Sequence, residues 1–492
     1  MIDLSVNKTV LEKNITKARE KGVIIPTFSQ MKDPEGQISD DIKGRLRNTG
    51  LWDLDPLNLF RVTWKNEPVE RGGLFGGPNF IEIPPALSGV KARIVCLAGK
   101  YFPTGCHKVG ASFGCLVPRL VTGQFDASSQ KAVWPSTGNF CRGGAFNSKL
   151  LAVDAIAILP EGMSRERFDW LKTVAAEIIA TAGTESNVKE IFDKVREIRQ
   201  TRKDAMIFNQ FEEMGNYLWH YQVTGNAIAD AFESIRSRSP GESNFAGVCF
   251  TSGSAGTMAA GDLLKQRYPC SKIAVGEALQ CSTILDNGYG SHRIEGIGDK
   301  HIPWVHNVKN TDMAIAIDDN DSMALLRLFN EDAGKEFLIH EAGLDADQVK
   351  NLALMGISGI SNLLCCIKFA KYYELGSGDV VATVLTDSVD MYRSRLEELR
   401  EERGAYRTLD AAADFAASLL GESADNLTEL TYTARKRVHN LKYYTWVEQQ
   451  GRAVEELDDQ WYRQEKSFLG VQKQAGEIDA LINDFNARTG LQ

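Results

Sequence analysis

Three short stretches carry side chains able to act on a small molecule, and each sits where a strand pattern gives way to a helix pattern. The first is Phe102-Pro-Thr-Gly-Cys-His-Lys108-Val-Gly-Ala-Ser112. A Pro-Thr-Gly turn running into a helix puts Lys108 at the helix start, and an amine directed into an α/β cleft is costly to keep charged. Desolvation drives it toward the neutral, nucleophilic form that makes an imine with an aldehyde. Taken alone, a lysine in a first helical turn is more often a surface residue. The second stretch is Trp134-Pro-Ser136-Thr137-Gly138-Asn139-Phe-Cys-Arg-Gly-Gly144. It offers backbone N–H groups and hydroxyls suited to a carboxylate, plus the Asn139 amide, which both donates and accepts. An ordinary cap by Ser136 or Thr137 writes the same pattern. The third, Phe250-Thr-Ser-Gly253-Ser254-Ala255-Gly256-Thr257-Met-Ala-Ala-Gly261, suits a phosphate at a helix N-terminus. It has neither the Gly-x-Gly-x-x-Gly of a dinucleotide loop nor the Gly-Lys-Ser/Thr of a P-loop, so a phosphate monoester fits it better than a nucleotide.

The surrounding pattern says what must hold these stretches. Ala92–Leu97, Ala155–Leu159, Ala246–Phe250, Lys272–Val275 and Asp379–Leu385 are short apolar runs that predict strands. Arg165–Ala182 and Asn362–Tyr373 predict helices between them. Such alternation means an α/β fold with parallel strands, whose ligands bind beyond the strands' carboxyl ends. Residues 1–60, with a helix around Val10–Lys21, read as an N-terminal arm or cap outside the core. Residues 61–394 form the catalytic body, and 395–492 a charged helical extension whose aromatics must pack on the body or a neighbouring subunit. Arg71-Gly-Gly-Leu-Phe-Gly-Gly-Pro78 is either a flexible turn or a mobile active-site loop.

The chain has 492 residues, 43% hydrophobic and 25% charged, with a net charge of -9, which argues against nucleic acid as the main partner. The basic run Ala434–Val438 reads as a solvated helix face. Nine scattered cysteines without metal-type spacing fit a reduced cytoplasm, with no metal site expected. No signal peptide and no apolar stretch of membrane-spanning length is evident.

Taken in order, the lysine, the Ser-Thr-Gly-Asn loop and the Gly-Ser-Ala-Gly-Thr loop resemble the cysteine synthase and cystathionine β-synthase family of pyridoxal-phosphate enzymes, those similar to the tryptophan synthase β subunit. The resemblance continues through Asn209–Tyr217, Glu295-Gly-Ile-Gly298, Met355-Gly-Ile-Ser358-Gly-Ile-Ser361 and Leu385–Ser394, spanning residues 60–394. It implies two open, twisted, mostly parallel sheets flanked by helices, with a smaller domain at 110–225 inserted in the larger. It also implies pyridoxal 5'-phosphate as cofactor, a small amino-acid substrate and a homodimer; the extension could also dock an accessory subunit. The implied roles are an imine and α-proton shuttle for Lys108, and a bond to the cofactor's 3′-oxygen for Asn139. Gly253, Ser254, Ala255, Gly256 and Thr257 would hold the phosphate. Ser136, Thr137, Gly138 and Asn139 would take the substrate carboxylate, and Ser358 would face the pyridine nitrogen. A neutral hydroxyl there makes the cofactor a weaker electron sink, which favours loss of a β-substituent over transamination. The implied activity is a lyase or synthase working at the β-carbon of a cysteine- or serine-like amino acid through an α-aminoacrylate.

Several residues depart from the family pattern. Phe140 stands where many relatives have threonine, and Val109 where cysteine synthases have an acid. Arg142 either recognises a second anionic group or is an ordinary helix-face arginine, the commoner outcome. Helix neighbours diverge by about 100°, so His107 points away from the side of Lys108. The pyridine partner is open to a slip onto Ser361 or Ser388. An ammonia-lyase, a C–C-cleaving subunit, a scaffold that keeps the fold, and a nucleotide-binding module are the alternatives.

Overall fold

The alternating pattern becomes two sheets in the computed structural model, which describes residues 1–183, 188–239, 241, 243–298 and 300–491. The strands among the described residues are β1 (Phe80–Ile83), β2 (Arg93–Ala98), β3 (Lys131–Pro135), β4 (Asp154–Pro160), β5 (Glu177–Thr181), β6 (Ala205–Ile207), β7 (Asn244–Thr251), β8 (Lys272–Ala278), β9 (Met313–Ile317), β10 (Asp379–Leu385) and β11 (Leu427–Glu429). One sheet has the order β1-β2-β10-β7-β8-β9-β11, the other β5-β4-β3-β6. All pairings are parallel except the two edge pairs of the larger sheet, β1 with β2 and β11 with β9. Central strands are buried on both faces, as Ile94, Val95, Cys96 and Leu97 show, and this is why they read as unbroken apolar runs.

All five expected strands form. Of the two expected helices between strands, Arg165–Ala182 divides: the helix ends at Val174, and Glu-Ile-Ile-Ala-Thr becomes β5. The β-branched residues of that second half favour the strand.

The N-terminal part differs from the expected cap, while the C-terminal part packs on the body as expected and adds a strand to it. In the arm, α1 (Lys8–Lys21) and the segment after it send Leu11, Ile15, Phe28, Met31 and Leu59 into the largest apolar core, so this segment is core and not a cap. Phe468, Val471, Ile478, Ile482 and Phe485 of the C-terminal part join the same core, and β11 extends the larger sheet. The basic run lies on a helix from Tyr432 to Lys442 and is pinned, not solvated. Arg435 Nη2 pairs with Asp312 at 2.7 Å, Arg437 Nη2 donates to the Ile284 carbonyl at 2.7 Å, and Lys436 lies over Trp461 and Tyr462.

Candidate active site

The lysine is delivered by a strained turn. Thr104, buried and β-branched, adopts φ 68° just before Gly105 at φ 66°, a conformation costing about 1–3 kcal/mol for a non-glycine residue. Three residues after Gly105, α2 (Lys108–Val121) begins, and its first side chain is Lys108. Lys108 Nζ donates to Ser254 Oγ at 3.0 Å and to Gln210 Oε1 at 3.3 Å. Gln210 in turn donates to Ser136 Oγ at 3.4 Å, and Asn216 Nδ2 bonds Ser254 Oγ at 3.1 Å and the Gln210 carbonyl at 2.9 Å. The three stretches separated in sequence therefore converge on one amine.

The glycine-rich loop closes onto α3 (Met258–Arg267) with Ala255 in the left-handed region at φ 58°. That turn leaves the amides of Gly253 to Thr257 without a hydrogen bond among the described residues, a concave set of donors at the positive end of a helix.

The Ser-Thr-Gly-Asn loop follows β3 and opens α4 (Asn139–Leu150). Gly138 sits at φ 149°, and a Cβ there would lie 2.5 Å from Arg167 Cδ, so only glycine serves. Arg167, on α5 (Arg165–Val174), is fully buried and holds the loop: Nη1 donates to the Thr137 carbonyl at 3.1 Å and meets Glu295 Oε2 at 2.5 Å. Nη2 reaches Tyr392 Oη at 3.0 Å, while Glu295 Oε1 takes Arg395 at 2.6 Å. Asn139 Nδ2 donates to Asp387 Oδ2 at 2.6 Å, and the Tyr392 hydroxyl donates to the same oxygen at 2.8 Å. Burial raises the Asp387 carboxyl above the ordinary aspartate value, against the pull of Arg167 and the bonds from Asn139 and Tyr392. A Cβ at Gly356 would run into Asp387 Oδ1, so the carboxyl also abuts the start of α6 (Ile357–Tyr372).

The three candidate hydroxyls separate. Ser361 is engaged with Ser322 Oγ at 2.8 Å and the Ile357 carbonyl at 3.2 Å, and Ser388 with Asp390 at 3.3 Å. Ser358 is buried beside Gly296, and its Oγ has no partner among the described residues. His107 packs on Trp64 and His220, and burial takes its pKa down to about 3, so it is a neutral core residue. Arg142 is no helix-face arginine; it is buried.

Residues 84–336, just over half of the chain, match the family of pyridoxal-phosphate dependent enzymes. The chain belongs to this family. A cysteine synthase of Staphylococcus aureus is 30% identical over 264 residues, covering 53% of this chain and 75% of that protein. Cystathionine beta-synthase of Saccharomyces cerevisiae is 23% identical over 415 residues, covering 82% and 76%. Among solved structures, cysteine synthase of Entamoeba histolytica superposes with a TM-score of 0.56 at 19% identity, covering 69% of this chain and 93% of its own. A hydrogen sulfide-producing enzyme of Fusobacterium nucleatum superposes with a TM-score of 0.55 at 22% identity, covering 71% and 92%. The fold is thus that of these enzymes, and the protein is an enzyme that uses pyridoxal 5'-phosphate. The residues present fit that cofactor: unbonded loop amides suit its phosphate, and an amine 3.0 Å from the same loop suits its aldehyde.

Gln210, Arg167, Glu295, Asp387 and Tyr392 carry roles in this geometry that sequence reasoning did not assign. Four of them lie in segments that carried the family resemblance. Arg167 had no local signal, because its partners are 128 and 225 residues away in Glu295 and Tyr392.

Proposed function

We propose that the protein is a lyase or synthase acting at the β-carbon of a cysteine- or serine-like amino acid, by β-elimination or β-replacement. The observation that carries this is the convergence of Lys108 with Ser254, Gln210 and Ser136 between the phosphate-type loop and the carboxylate-type loop. The names of the relatives, cysteine synthase and cystathionine beta-synthase, point to the same chemistry.

Bound pyridoxal phosphate supplies the electron sink that makes the α-proton of an amino acid removable. Lys108 Nζ, tethered by two neutral acceptors, is the base that takes this proton and later returns one. The amides of Gly253, Ser254, Ala255, Gly256 and Thr257 hold the phosphate. Ser136, Thr137, Gly138 and Asn139 orient the substrate carboxylate, with Arg167 bracing the Thr137 carbonyl from behind. Asn139 presents an amide to the ring oxygen, its orientation set by Asp387. Ser358 is the hydroxyl for the ring nitrogen; its unpartnered Oγ supports it over Ser361 and Ser388. A neutral partner there leaves departure of the β-substituent favoured over transfer of the amino group.

The same reading assigns residues 61–394 to the catalytic body, with the four-stranded sheet as the centre of its smaller domain. It takes in a homodimer, and a cytoplasmic setting supported by nine unpaired cysteines. Among the described residues no single helix is long and apolar enough to cross a membrane.

The test is colour and turnover. Purified protein should show a visible cofactor band that Lys108→Ala abolishes while the far-ultraviolet spectrum stays unchanged. L-Cysteine, O-acetyl-L-serine, L-serine and L-threonine are then compared for release of sulfide and keto acid. A colourless protein indifferent to added pyridoxal phosphate, or turnover of neither these nor O-phospho-L-serine, S-sulfo-L-cysteine or S-carboxymethyl-L-cysteine, overturns the proposal.

A further inference from the structure

Among the described residues, Arg142 is a buried cation with no ion-pair partner. It lies one turn along α4 from Asn139, on the same face, and is 1% exposed. Its Nη1 reaches Met391 Sδ at 3.2 Å and Asn139 Oδ1 at 3.5 Å, and its Nε meets no acceptor among the described residues. The guanidinium faces the indoles of Trp170 and Trp52, 4.8 and 6.0 Å from their ring centroids. Burial lowers its pKa only to about 10, so it stays charged at neutral pH.

Its neighbour Arg167, by contrast, has a carboxylate at ion-pair distance, Glu295 at 2.5 Å. Asp387, whose field also reaches Arg142, accepts from Asn139 and Tyr392, and burial draws its carboxyl toward the neutral form. Five N–H donors in a planar fork are not satisfied by a thioether, one long contact and two ring faces. Buried charge that structure leaves unmet is tolerated where function requires it.

A second observation comes from residue 140. Phe140, next to Asn139, is buried edge-on to Trp134 at 5.4 Å and offers the substrate no polar group. Recognition beyond the Ser136–Asn139 loop must come from another group, and Arg142 is the cation on that helix face. Trp52, 45% exposed, lies 6.0 Å from the guanidinium by its ring centroid.

We infer that Arg142 is the receptor for a second anionic group on the amino-acid substrate, a carboxylate, sulfonate or phosphate carried beyond its β-carbon. The inference rests on the proposed function and names the substrate class of that site. The α-carboxylate goes to the loop amides and hydroxyls; the guanidinium fork matches a second planar or tetrahedral oxyanion.

The experiment compares wild type, R142M and R142K holoenzymes on two substrate sets. One set is L-cysteine, O-acetyl-L-serine and S-methyl-L-cysteine; the other is O-phospho-L-serine, S-sulfo-L-cysteine and S-carboxymethyl-L-cysteine. Both kcat/KM and the dissociation constant from the visible band are measured. Wild type should favour the second set. R142M should lower kcat/KM for that set by about 10- to 100-fold more than for the first, the range expected of a lost charge-assisted pair. R142K, which keeps charge but not the fork, should lose several-fold of the preference and decides the matter if R142M does not fold. No preference in wild type, or equal loss on both sets, overturns the inference and makes Arg142 a contact for the α-carboxylate or a structural residue. If neither set is turned over, the proposed function falls, while the binding preference still decides the role of Arg142.

Discussion

Asp387 offers the sharpest test of how the site is held. One of its oxygens accepts from Asn139 Nδ2 at 2.6 Å and from Tyr392 Oη at 2.8 Å, and both donors are buried. Asp387→Ala leaves those two donors without an acceptor, at about 1–3 kcal/mol each, and adds a small cavity. The expected loss of folding stability is therefore about 3–5 kcal/mol. Asp387→Asn is the discriminating partner. Its amide oxygen can stand where Oδ2 stands and accept both bonds, while its nitrogen takes the place of Oδ1 against Gly356. Because burial already raises the Asp387 pKa, removing its charge costs little, and the asparagine variant should stay within about 1 kcal/mol of wild type. Urea unfolding of the holoenzyme reads the stability. Titration with pyridoxal phosphate, followed by visible absorbance, reads the affinity, which in the alanine variant should weaken about 10-fold as Asn139 loses its orientation. If Asp387→Asn falls as far as Asp387→Ala, charge rather than the shared acceptor is at work and the reasoning is refuted.

Two further outcomes follow from the same electrostatics. Arg167→Met leaves Glu295 with Arg395 alone and frees the Thr137 carbonyl, so stability should drop by about 3–5 kcal/mol in urea unfolding, with KM for the amino acid rising as the loop loosens. Glu277, whose two oxygens cap Ile284 and Leu285, is raised by burial from 4.5 to about 7. A raised folded-state pKa means stability that is fully present below pH 4.5 and lost as pH rises through 7, amounting to about 3 kcal/mol. Glu277→Gln should remove that slope; a variant with the same slope as wild type assigns it elsewhere.

The parts of this protein that were legible in its sequence are those built from local rules. Strands buried on both faces, such as β2 and β10, declare themselves as apolar runs, and loops that gather backbone amides declare themselves as glycine, serine and threonine after a strand. Lys108 was legible because its loop is contiguous. The fate of Arg165–Ala182 was not, since a sheet edge captured its β-branched half. The N-terminal arm misread for a related reason. Leu11 and Ile15 repeat on one helix face whatever they pack against, and the chain 1–60 carries no mark that its partner is Phe485 or Ile478. Arg142 was read from base frequencies of helical arginines, and only tertiary packing between Trp52 and Trp170 decides its burial.

That last point bears on how the site works as a unit. Asn139 is held at both ends of its amide, by Asp387 from the strand β10 side and by Arg142 from its own helix. The small sheet supplies Asn139, Arg142 and Arg167; the large sheet's loops supply Asp387, Met391, Tyr392 and Glu295. Two of the contacts that brace the substrate loop, Asn139 to Asp387 and Arg167 to Glu295 and Tyr392, therefore cross between the two sheets. A relative shift of the small sheet by even 1 Å would stretch the Asn139–Asp387 and Arg167–Tyr392 bonds together, because both donors ride on helices that follow β3 and β4. Hydrogen bonds weaken steeply beyond ordinary lengths, so both braces depend on how the two sheets are docked.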